Sequence, residues 1–459
     1  MAKYQAYAEY KDSGVEWLGE IPSHWTFTSL KRFSFVKGGY AFSSDIFTSV
    51  GKPIIRIGDI QADGSISLEN CKNIPLTLAE NSQDYLVTKG QILMAMTGAT
   101  IGKAGIFNSD EVAYLNQRVG KFIIDSNALN YGYLWYLLKT HGYQEYIRLT
   151  AFGGAQPNIS DTAMVDFNTC IPSLSEQEKI ANFLDHETTK IDHLIEKQQQ
   201  LIELLKEKRQ AVISHAVTKG LDPNVPMKDS GVEWLGEVPE HWDIKKIKYL
   251  GSILNGYAFP SDGFTEEGIK VLKISNIQTM YLDWTDLSFV NENQAKKLEQ
   301  FLVKKGDLVF ALTRPIISTG IKATLMDLDE KILLNQRNAI LRPNGLCIQK
   351  WLYYMILNQN FVQEFNNQID KTGQQPNIST VAIGNLEISV APIEEQIKIV
   401  EFIAEKVERI DDLIKKAESA IQLMQERRTA LISAAVTGKI DVRHWQAPNV
   451  TEADTELSA

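Results

Sequence analysis

Short, glycine-bounded segments of this chain carry polar side chains beside aromatic residues, and such side chains can recognise DNA bases. They include GGYAFSSD at residues 38–45, LNQR at 115–118 and GGAQPNIS at 153–160, with similar segments in the second half. Arg and Lys can pair with guanine at the base edge, and Asn and Gln with adenine. We therefore predict DNA contacts from Lys37, Tyr40, Ser43, Ser44, Thr97, Lys103, Asn116, Gln117, Arg118, Gln156 and Asn158 in the first half, and from Tyr257, Ser261, Thr313, Arg314, Asn335, Gln336, Arg337, Gln374, Gln375 and Asn377 in the second.

A structural interpretation of the same segments stays open. Residues shared by both halves can be scaffold turns, with base recognition falling on the divergent stretches between them. Residues that differ between the two halves should specify the DNA sequence, whereas residues that the halves share should support the fold or contact phosphates.

The segment GATIGKAG at residues 98–105 has some features of a phosphate-binding loop. It has one residue too few between Gly98 and the Gly102-Lys103 pair, and it lacks the Ser or Thr that should follow the lysine. The second half has RPIISTGIKA instead. We predict a tight turn with glycines at positive φ, whose lysine can still touch a DNA phosphate.

Other residue types that could support catalysis lack the necessary spacing. The seven histidines form no metal-binding motif, and we predict that His24 and His241 pack in Pro-x-His-Trp corners. The carboxylate clusters at 175–179 and 394–398 are typical of first-turn helix caps rather than of nucleases. Adenine methyltransferase motifs are also missing from the sequence. We predict no catalytic residue, no metal and no cofactor on this chain.

The composition is that of a globular protein of several domains. The 459 residues include 47 Lys and Arg against 57 Asp and Glu, for a net charge of −10, which argues against a simple basic nucleic-acid coat. Three isolated cysteines form no disulfide framework. The amino terminus has no apolar signal segment, and no apolar run is long enough to span a membrane. A cytoplasmic location is therefore expected.

The chain contains an internal repeat. KDSGVEWLGEIPSHW at residues 11–25 recurs as KDSGVEWLGEVPEHW at 228–242, an offset of 217. GYAF, LNQR and QPNIS segments follow in the same order in both halves, the last two at an offset of 219. This pattern predicts one architecture used twice, with different surface loops.

Each half ends in a segment with the periodicity of a long helix. The predicted 4,3 seam of the first is Ile180, Leu184, Glu187, Ile191, Leu194, Gln198, Leu201, Leu205, Lys208 and Val212. That of the second is Ile399, Ile403, Lys406, Ile410, Leu413, Ala417, Ala420, Met424, Arg427 and Leu431. Such seams form coiled coils. The connection through a globular domain favours an antiparallel pair, in which Glu187 lies near Arg427 but Lys208 lies unfavourably near Lys406, so the charges alone do not fix the direction.

The predicted fold class is α+β, with two mixed α/β recognition domains joined by two long antiparallel helices. The predicted boundaries are a repeated leader at 1–25, domain one at 26–172, helix one at 173–217, a connector with the second leader at 218–242, domain two at 243–391, helix two at 392–437 and a tail at 438–459.

Residues 26–170 have a net charge of 0 and residues 243–391 of +1, so the acidic surplus lies mainly in the leader, connector and tail. The overall charge therefore does not exclude a DNA-binding face.

The order of these segments, together with a Glu-Gln pair that follows proline at each helix start, resembles the specificity subunit of type I restriction-modification systems over essentially the whole chain. The resemblance implies a DNA-binding, non-catalytic subunit that acts in DNA methylation and phage defence. Each globular domain would be a target recognition domain that contacts one half of an asymmetric, bipartite double-stranded DNA target. The helices would set the spacer and dock two modification (methyltransferase) subunits, which use S-adenosylmethionine. Restriction (motor and nuclease) subunits, using ATP and Mg, would join for cleavage. The resemblance does not carry the Lys103 contact over to Arg314 or Lys322, because the GATIGK turn is replaced in the second half.

Two alternatives from other functional classes remain. One is a standalone DNA endonuclease, which the lack of an ordered carboxylate-lysine constellation disfavours. The other is a coiled-coil scaffold with two protein-binding domains.

Overall fold

The computed structural model describes residues 4–154 and 157–447 of the chain. Contacts divide the chain into two compact units. Unit 1 comprises Met1–Lys197 and Ala420–Ala459, and unit 2 comprises Gln198–Ser419. Both units combine sheets and helices, as the predicted α+β class requires, and each of the two long helices contributes one part to each unit.

The elements of the first half begin with a leader hairpin and end with a long helix. The strands are β1 (Tyr10–Asp12), β2 (Glu20–Pro22), β3 (Thr26–Ser29), β4 (Ser34–Gly38), β5 (Lys52–Ile55), β6 (Lys72–Ile74), β7 (Leu86–Val87), β8 (Ile92–Ala95), β9 (Ala104–Ile106), β10 (Ala113–Leu115), β11 (Val119–Ile124) and β12 (Asn168–Ile171). The helices are α1 (Leu76–Glu80), α2 (Tyr131–Leu138), α3 (His141–Thr150), α4 (Asp161–Val165) and α5 (Leu174–Lys219).

Two four-stranded sheets form the body of unit 1, in the orders β4-β11-β8-β9 and β6-β5-β10-β7. Strand β8 is buried on both faces. Alternate side chains of a strand point in opposite directions, and those of β8 enter two different cores. Ile92 and Met94 enter the main core of unit 1, whereas Leu93 and Ala95 enter a second, smaller core. The strand therefore holds the chain that follows it in a fixed place.

The second half repeats this order of elements with changes at its surface. The strands are β13 (Met227–Asp229), β14 (Glu237–Pro239), β15 (Asp243–Lys246), β16 (Gly251–Asn255), β17 (Phe264–Thr265), β18 (Ile269–Leu272), β19 (Phe289–Val290), β20 (Leu302–Val303), β21 (Leu308–Ala311), β22 (Ile316–Ile317), β23 (Gly320–Ile321), β24 (Ala323–Leu325), β25 (Ile332–Leu334), β26 (Asn338–Pro343) and β27 (Glu387–Val390). The helices are α6 (Glu292–Lys296), α7 (Gln349–Ile356), α8 (Gln359–Asn367), α9 (Thr380–Asn385) and α10 (Ile393–Val436).

The sheets of unit 2 correspond to those of unit 1. The order β16-β26-β21-β24 matches β4-β11-β8-β9, and strand β18 pairs in parallel with β25 as β5 does with β10. Strand β21 is again buried on both faces, with Leu308 and Phe310 in one core and Val309 in another. The short hairpin β22-β23 belongs to unit 2 and replaces the turn at residues 98–102 of unit 1.

Within each unit the two long helices run antiparallel, as predicted. In unit 2, Arg209 of α5 forms an ion pair with Asp411 of α10, at 2.7 Å. Directly after the end of α5, Gly220 lies against the side chain of Glu395, so the residue numbers fall along α10 as they rise along α5. In unit 1, Arg428 forms the equivalent ion pair with Asp192, at 2.8 Å.

Over the middle of both helices, the predicted seam is confirmed at alternate positions, where Ile191, Leu205, Ile410 and Ala417 are buried. At the positions between them it is wrong by one residue. Leu194 and Leu201, predicted to lie in it, are 45% and 42% exposed, whereas Ile202 is 7% exposed. The same one-residue shift occurs in α10, where Leu413 is 49% and Ile414 only 9% exposed. The sequence offers leucine and isoleucine at adjacent positions, and only the packed helices show that the isoleucines face inwards.

The interhelical charges also differ from the sequence expectation. The ion pairs use Arg209 and Arg428, each one residue beyond the predicted seam positions Lys208 and Arg427. Glu187 and Arg427 both interact with Tyr4. The Tyr4 hydroxyl donates to the Glu187 carboxylate at 2.7 Å. Burial and Glu187 raise the pKa of Tyr4 to about 12, and Arg427 opposes this shift.

In the parts of the chain that the structure describes, no helix is both long and apolar enough to cross a bilayer.

Candidate nucleic-acid interface

Four repeated segments of unit 1 meet where strands β4 and β8 end and β11 begins. Tyr40 bridges to Asn116, and Thr97 bridges to Asn158. The two pairs are linked because the N–H before Thr97 donates to the carbonyl oxygen of Arg118, at 2.9 Å. We call residues 40, 96–97, 116–118 and 158 the unit 1 strip.

Unit 2 builds the same arrangement from its own copies of these segments. Tyr257 bridges to Asn335, Thr313 bridges to Asn377, and the N–H before Thr313 donates to the carbonyl oxygen of Arg337, at 2.8 Å. Residues 257, 312–313, 335–337 and 377 form the unit 2 strip. Segments that lie far apart in sequence thus meet in the same way in both units.

The strips expose side chains that the sequence singled out. Gln117, Arg118 and Asn158 are exposed in unit 1, and Tyr40 is 47% exposed. Their counterparts Gln336, Arg337 and Asn377 are exposed in unit 2, where Tyr257 is half-buried. Near the strips, Ser43, Ser44, Ser261, Gln374 and Gln375 are also exposed. Gln156 lies outside the described residues.

Several shared residues hold the backbone together rather than facing solvent. A side chain at Gly39 would place its Cβ 2.2 Å from the carbonyl oxygen of Asn116, and one at Gly256 would lie equally close to that of Asn335. Only glycine permits this approach. The hydroxyl oxygen of Thr97 is buried without a hydrogen-bond partner. Part of each strip is therefore scaffold, in line with the structural interpretation of the repeats.

The predicted lysines do not share one environment. Lys37 lies on β4, where its ammonium is 3.3 Å from Asp84 and faces the ring of Tyr85. Lys103 is half-buried and lines a cavity of about 650 Å³ with Lys139 and Arg428.

The turn at residues 98–102 has the backbone predicted for it. Gly98 and Gly102 have φ of 76° and 81°. The carbonyl oxygen of Lys103 accepts from the N–H that closes β8, and that of Lys322 accepts from the N–H that closes β21, both at 2.9 Å. Lys322 thus takes the backbone place of Lys103, but its ammonium donates to the carbonyl oxygen of Ile274, and burial lowers its pKa. The side chain at this position of unit 2 is therefore bound within the fold.

Glu176 has a structural role that sequence reasoning missed. Its buried carboxylate, in the first turn of α5, accepts hydrogen bonds from the Tyr7 hydroxyl at 2.6 Å and from Trp25 Nε1 at 3.1 Å, and lies 3.0 Å from His24 Nε2. Trp25 is 1% exposed, so the tryptophan of the Pro-x-His-Trp corner packs as predicted, whereas the His24 side chain is 42% exposed and is held by Glu176 instead. The interpretation of Glu176 as a helix cap was incomplete, because its side chain fastens the leader to α5.

Unit 2 repeats this carboxylate anchor. Glu395 lies 2.7 Å from His241 Nε2 and accepts from Trp242 Nε1 at 3.1 Å, but its side chain is 29% exposed.

The glutamine after each glutamate ties the same helix to the globular part. Gln177 accepts from the N–H of Asn130 and donates to the carbonyl oxygens of Ala128 and Pro172. Gln396 makes the corresponding three bonds in unit 2. The Glu-Gln pair at both helix starts was the available sequence signal.

The described cysteines have no feature of a nucleophile. Burial raises the pKa of Cys71 and of Cys347 to about 12 and that of Cys170 to about 11. A thiolate is therefore disfavoured at neutral pH. Over residues 4–154 and 157–447, no group of His, Cys, Asp and Glu side chains is arranged to hold a metal ion.

Comparisons with known proteins identify the family. The family model described as the type I restriction modification DNA specificity domain matches residues 22–204 and 239–423. The chain therefore belongs to the type I restriction-modification DNA specificity family, in which it is a specificity subunit with two copies of that domain.

Curated relatives and solved structures agree with this assignment. The MjaVIII specificity subunit of Methanocaldococcus jannaschii is 29% identical over 370 residues, which are 79% of this chain and 82% of that protein. The EcoBI specificity subunit of Escherichia coli is 24% identical and covers 98% of this chain and 93% of its own. A chain from a structural study of type I system assembly and conformational transition superposes with a TM-score of 0.70 at 13% identity, covering 92% of this chain and 99% of that one. The HsdS subunit of Thermoanaerobacter tengcongensis gives a TM-score of 0.55 at 14% identity, with 92% and 98% covered. These structures share the fold.

Proposed function

We propose that each unit reads one half of an asymmetric, bipartite DNA target. The observation that carries this proposal is the recurrence of the same hydrogen-bonded strip in both units, with exposed Arg, Gln and Asn side chains. Side chains of these types bind DNA, either at phosphates or at base edges. Because the chain around the two strips differs, the two half-sites should differ in sequence.

The long helices would set the spacer and dock the modification subunits. Helix α5 has 46 residues, which corresponds to roughly 70 Å at 1.5 Å per residue. One turn of DNA measures about 34 Å. Leu194 and Leu204 of α5 are exposed, as are Leu413 and Leu423 of α10, each 219 positions further along the chain. This matched pair of exposed leucines would suit two copies of one partner, since exposed apolar patches commonly mark interaction sites.

Catalysis would belong to the partners. The modification subunits would bind S-adenosylmethionine and methylate adenine, and restriction subunits would use ATP and Mg. The chain itself would contribute recognition and assembly.

Exchanging one recognition domain tests the proposal directly. We expect replacement of residues 26–172 by the equivalent segment of another specificity subunit to change one half-site and leave the other intact. The reciprocal exchange of residues 243–391 is the matched control and should change only the other half. The readout is the position of N6-methyladenine in DNA methylated by the assembled complex. Changes in both half-sites after either exchange would refute independent readers.

The arginines shared by the two strips should contact phosphate rather than bases. We expect Arg118→Ala and Arg337→Ala each to weaken DNA binding by a similar factor for all sequences. The slope of log K against log salt should become shallower by about 0.9, the value for one lost phosphate contact. Salt-dependent binding titrations of the assembled complex measure this slope.

Lys89→Ala provides the charge control for these variants. Lys89 is exposed, pairs with Asp110 and precedes the opposite end of β8. Its replacement should leave the slope unchanged, and a base-specific loss in Arg118→Ala would contradict the phosphate assignment.

A further inference from the structure

Gly98 of unit 1 and Arg314 of unit 2 occupy the same backbone position. The N–H of Gly98 donates to the carbonyl oxygen of Pro157, and the N–H of Arg314 donates to that of Pro376, both at 2.8 Å. Each residue directly follows the threonine that bridges to the asparagine of its strip. The two positions therefore correspond, although the loops that follow them differ in length.

Both residues adopt a left-handed backbone conformation. The φ angle is 76° at Gly98 and 47° at Arg314. Glycine adopts such angles freely, whereas a residue with a Cβ atom is strained there. Since the shorter turn of unit 1 has the same conformation, the strip itself imposes it. Unit 1 relieves the strain with glycine, and unit 2 retains an arginine.

The Arg314 side chain is free to meet a ligand. It is exposed, and its guanidinium forms no hydrogen bond or ion pair with any residue that the structure describes. The side chain therefore forms no contact within the fold that would offset the strain at its backbone. Strained residues of this kind cluster at functional sites.

We propose that Arg314 reads a guanine in the half-site of unit 2, and that unit 1, with Gly98 at the same position, makes no corresponding contact. This inference rests on the proposed function. An arginine donates two parallel hydrogen bonds to O6 and N7 of guanine, a geometry that its planar fork provides. A phosphate contact would need only a positive charge, which a lysine at an unstrained neighbouring position could supply. Arg314 also differs between the two units, as a residue that distinguishes two half-sites must.

The first experiment uses Arg314→Gly in the full chain, assembled with its modification subunits. The complex methylates a DNA library randomised in one half-site at a time, and N6-methyladenine is read by sequencing. We expect a preference for one G·C pair in the unit 2 half-site to fall by between about fivefold and 100-fold. The unit 1 half-site should be unchanged.

The folding of this variant is measured in parallel. Because glycine removes the strain, the unfolding temperature should not fall and should rise by at most roughly 2–4 °C. A loss of base preference at undiminished stability cannot come from misfolding.

Two further variants sharpen the assignment. Gly98→Arg should create a guanine preference at one position of the unit 1 half-site, since a Cβ atom there meets no other atom within 4 Å and the backbone strain is of the kind that Arg314 already tolerates. Lys371→Ala removes an exposed positive charge from the loop that ends at the unit 2 strip. It should leave base preference intact.

The inference is overturned if Arg314→Gly keeps the wild-type base preference, or if it weakens methylation of all sequences equally, as loss of a phosphate contact would. Failure of the proposed function has a different signature, because the wild-type complex itself would then show no sequence preference in the half-site assigned to unit 2.

Discussion

Glu176→Ala is expected to lower the free energy of unfolding of unit 1 by about 3–5 kcal/mol, because it leaves buried donors without an acceptor. The carboxylate is 5% exposed and accepts from Tyr7 and Trp25, which are themselves buried. Burial and Glu176 raise the pKa of Tyr7 far above its ordinary value. Its hydroxyl therefore stays protonated and needs an acceptor at every physiological pH. Calorimetry of the full chain measures the loss.

Two matched variants separate this role from a general effect of charge at a helix start. Glu178→Ala removes an exposed carboxylate two residues further along α5 and should cost no more than about 0.5 kcal/mol. Glu395→Ala removes the equivalent anchor of unit 2, which has fewer donors and a 29% exposed side chain. It should cost about 1–2 kcal/mol. Equal losses in Glu176→Ala and Glu178→Ala would show that the leader anchor contributes little.

The sequence carried enough information for the repeat, the long helices and the α+β class. Those features depend on local pattern: an offset of 217 or 219 residues, or a 4,3 spacing that persists over many turns. Glu176 escaped the same reasoning because its partners, Tyr7 and Trp25, are more than 150 positions away. An acidic residue in a first turn satisfies the local rule for a cap, so nothing nearby in sequence signals a second role.

The candidate interface was predictable as a set of segments but not as a surface. Segments around residues 40, 97, 117 and 158 were each identified, yet only pairing between distant strands places them side by side. The same pairing leaves Lys103 half-buried and buries Lys322, although both lysines are polar and follow glycine-containing turns. The left-handed backbone of Gly98 was predicted, but that of Arg314 was hidden, because a glycine in one half and an arginine in the other do not look equivalent.

The phase of the helix seam provides the sharpest test of structure against sequence. Ile202→Asp is expected to lower the free energy of unfolding by about 3–5 kcal/mol, because it places a charge at a position only 7% exposed. Leu201→Asp, one residue earlier and 42% exposed, should cost only about 0.5–1 kcal/mol. Both variants lose similar helix propensity and add the same charge, so the difference between them isolates burial.

The test can be repeated on the other helix, since Ile414→Asp should again be far more damaging than Leu413→Asp. Denaturant unfolding followed by circular dichroism measures all four variants. If the leucine variants proved the more damaging, the result would support Leu201 and Leu413 as seam positions, as the sequence predicted. If the isoleucine variants are the more damaging, the exposed leucines lie outside the seam between the helices. Leu413→Asp could then weaken assembly with the modification subunits without unfolding the chain, a combination that a core leucine could not produce.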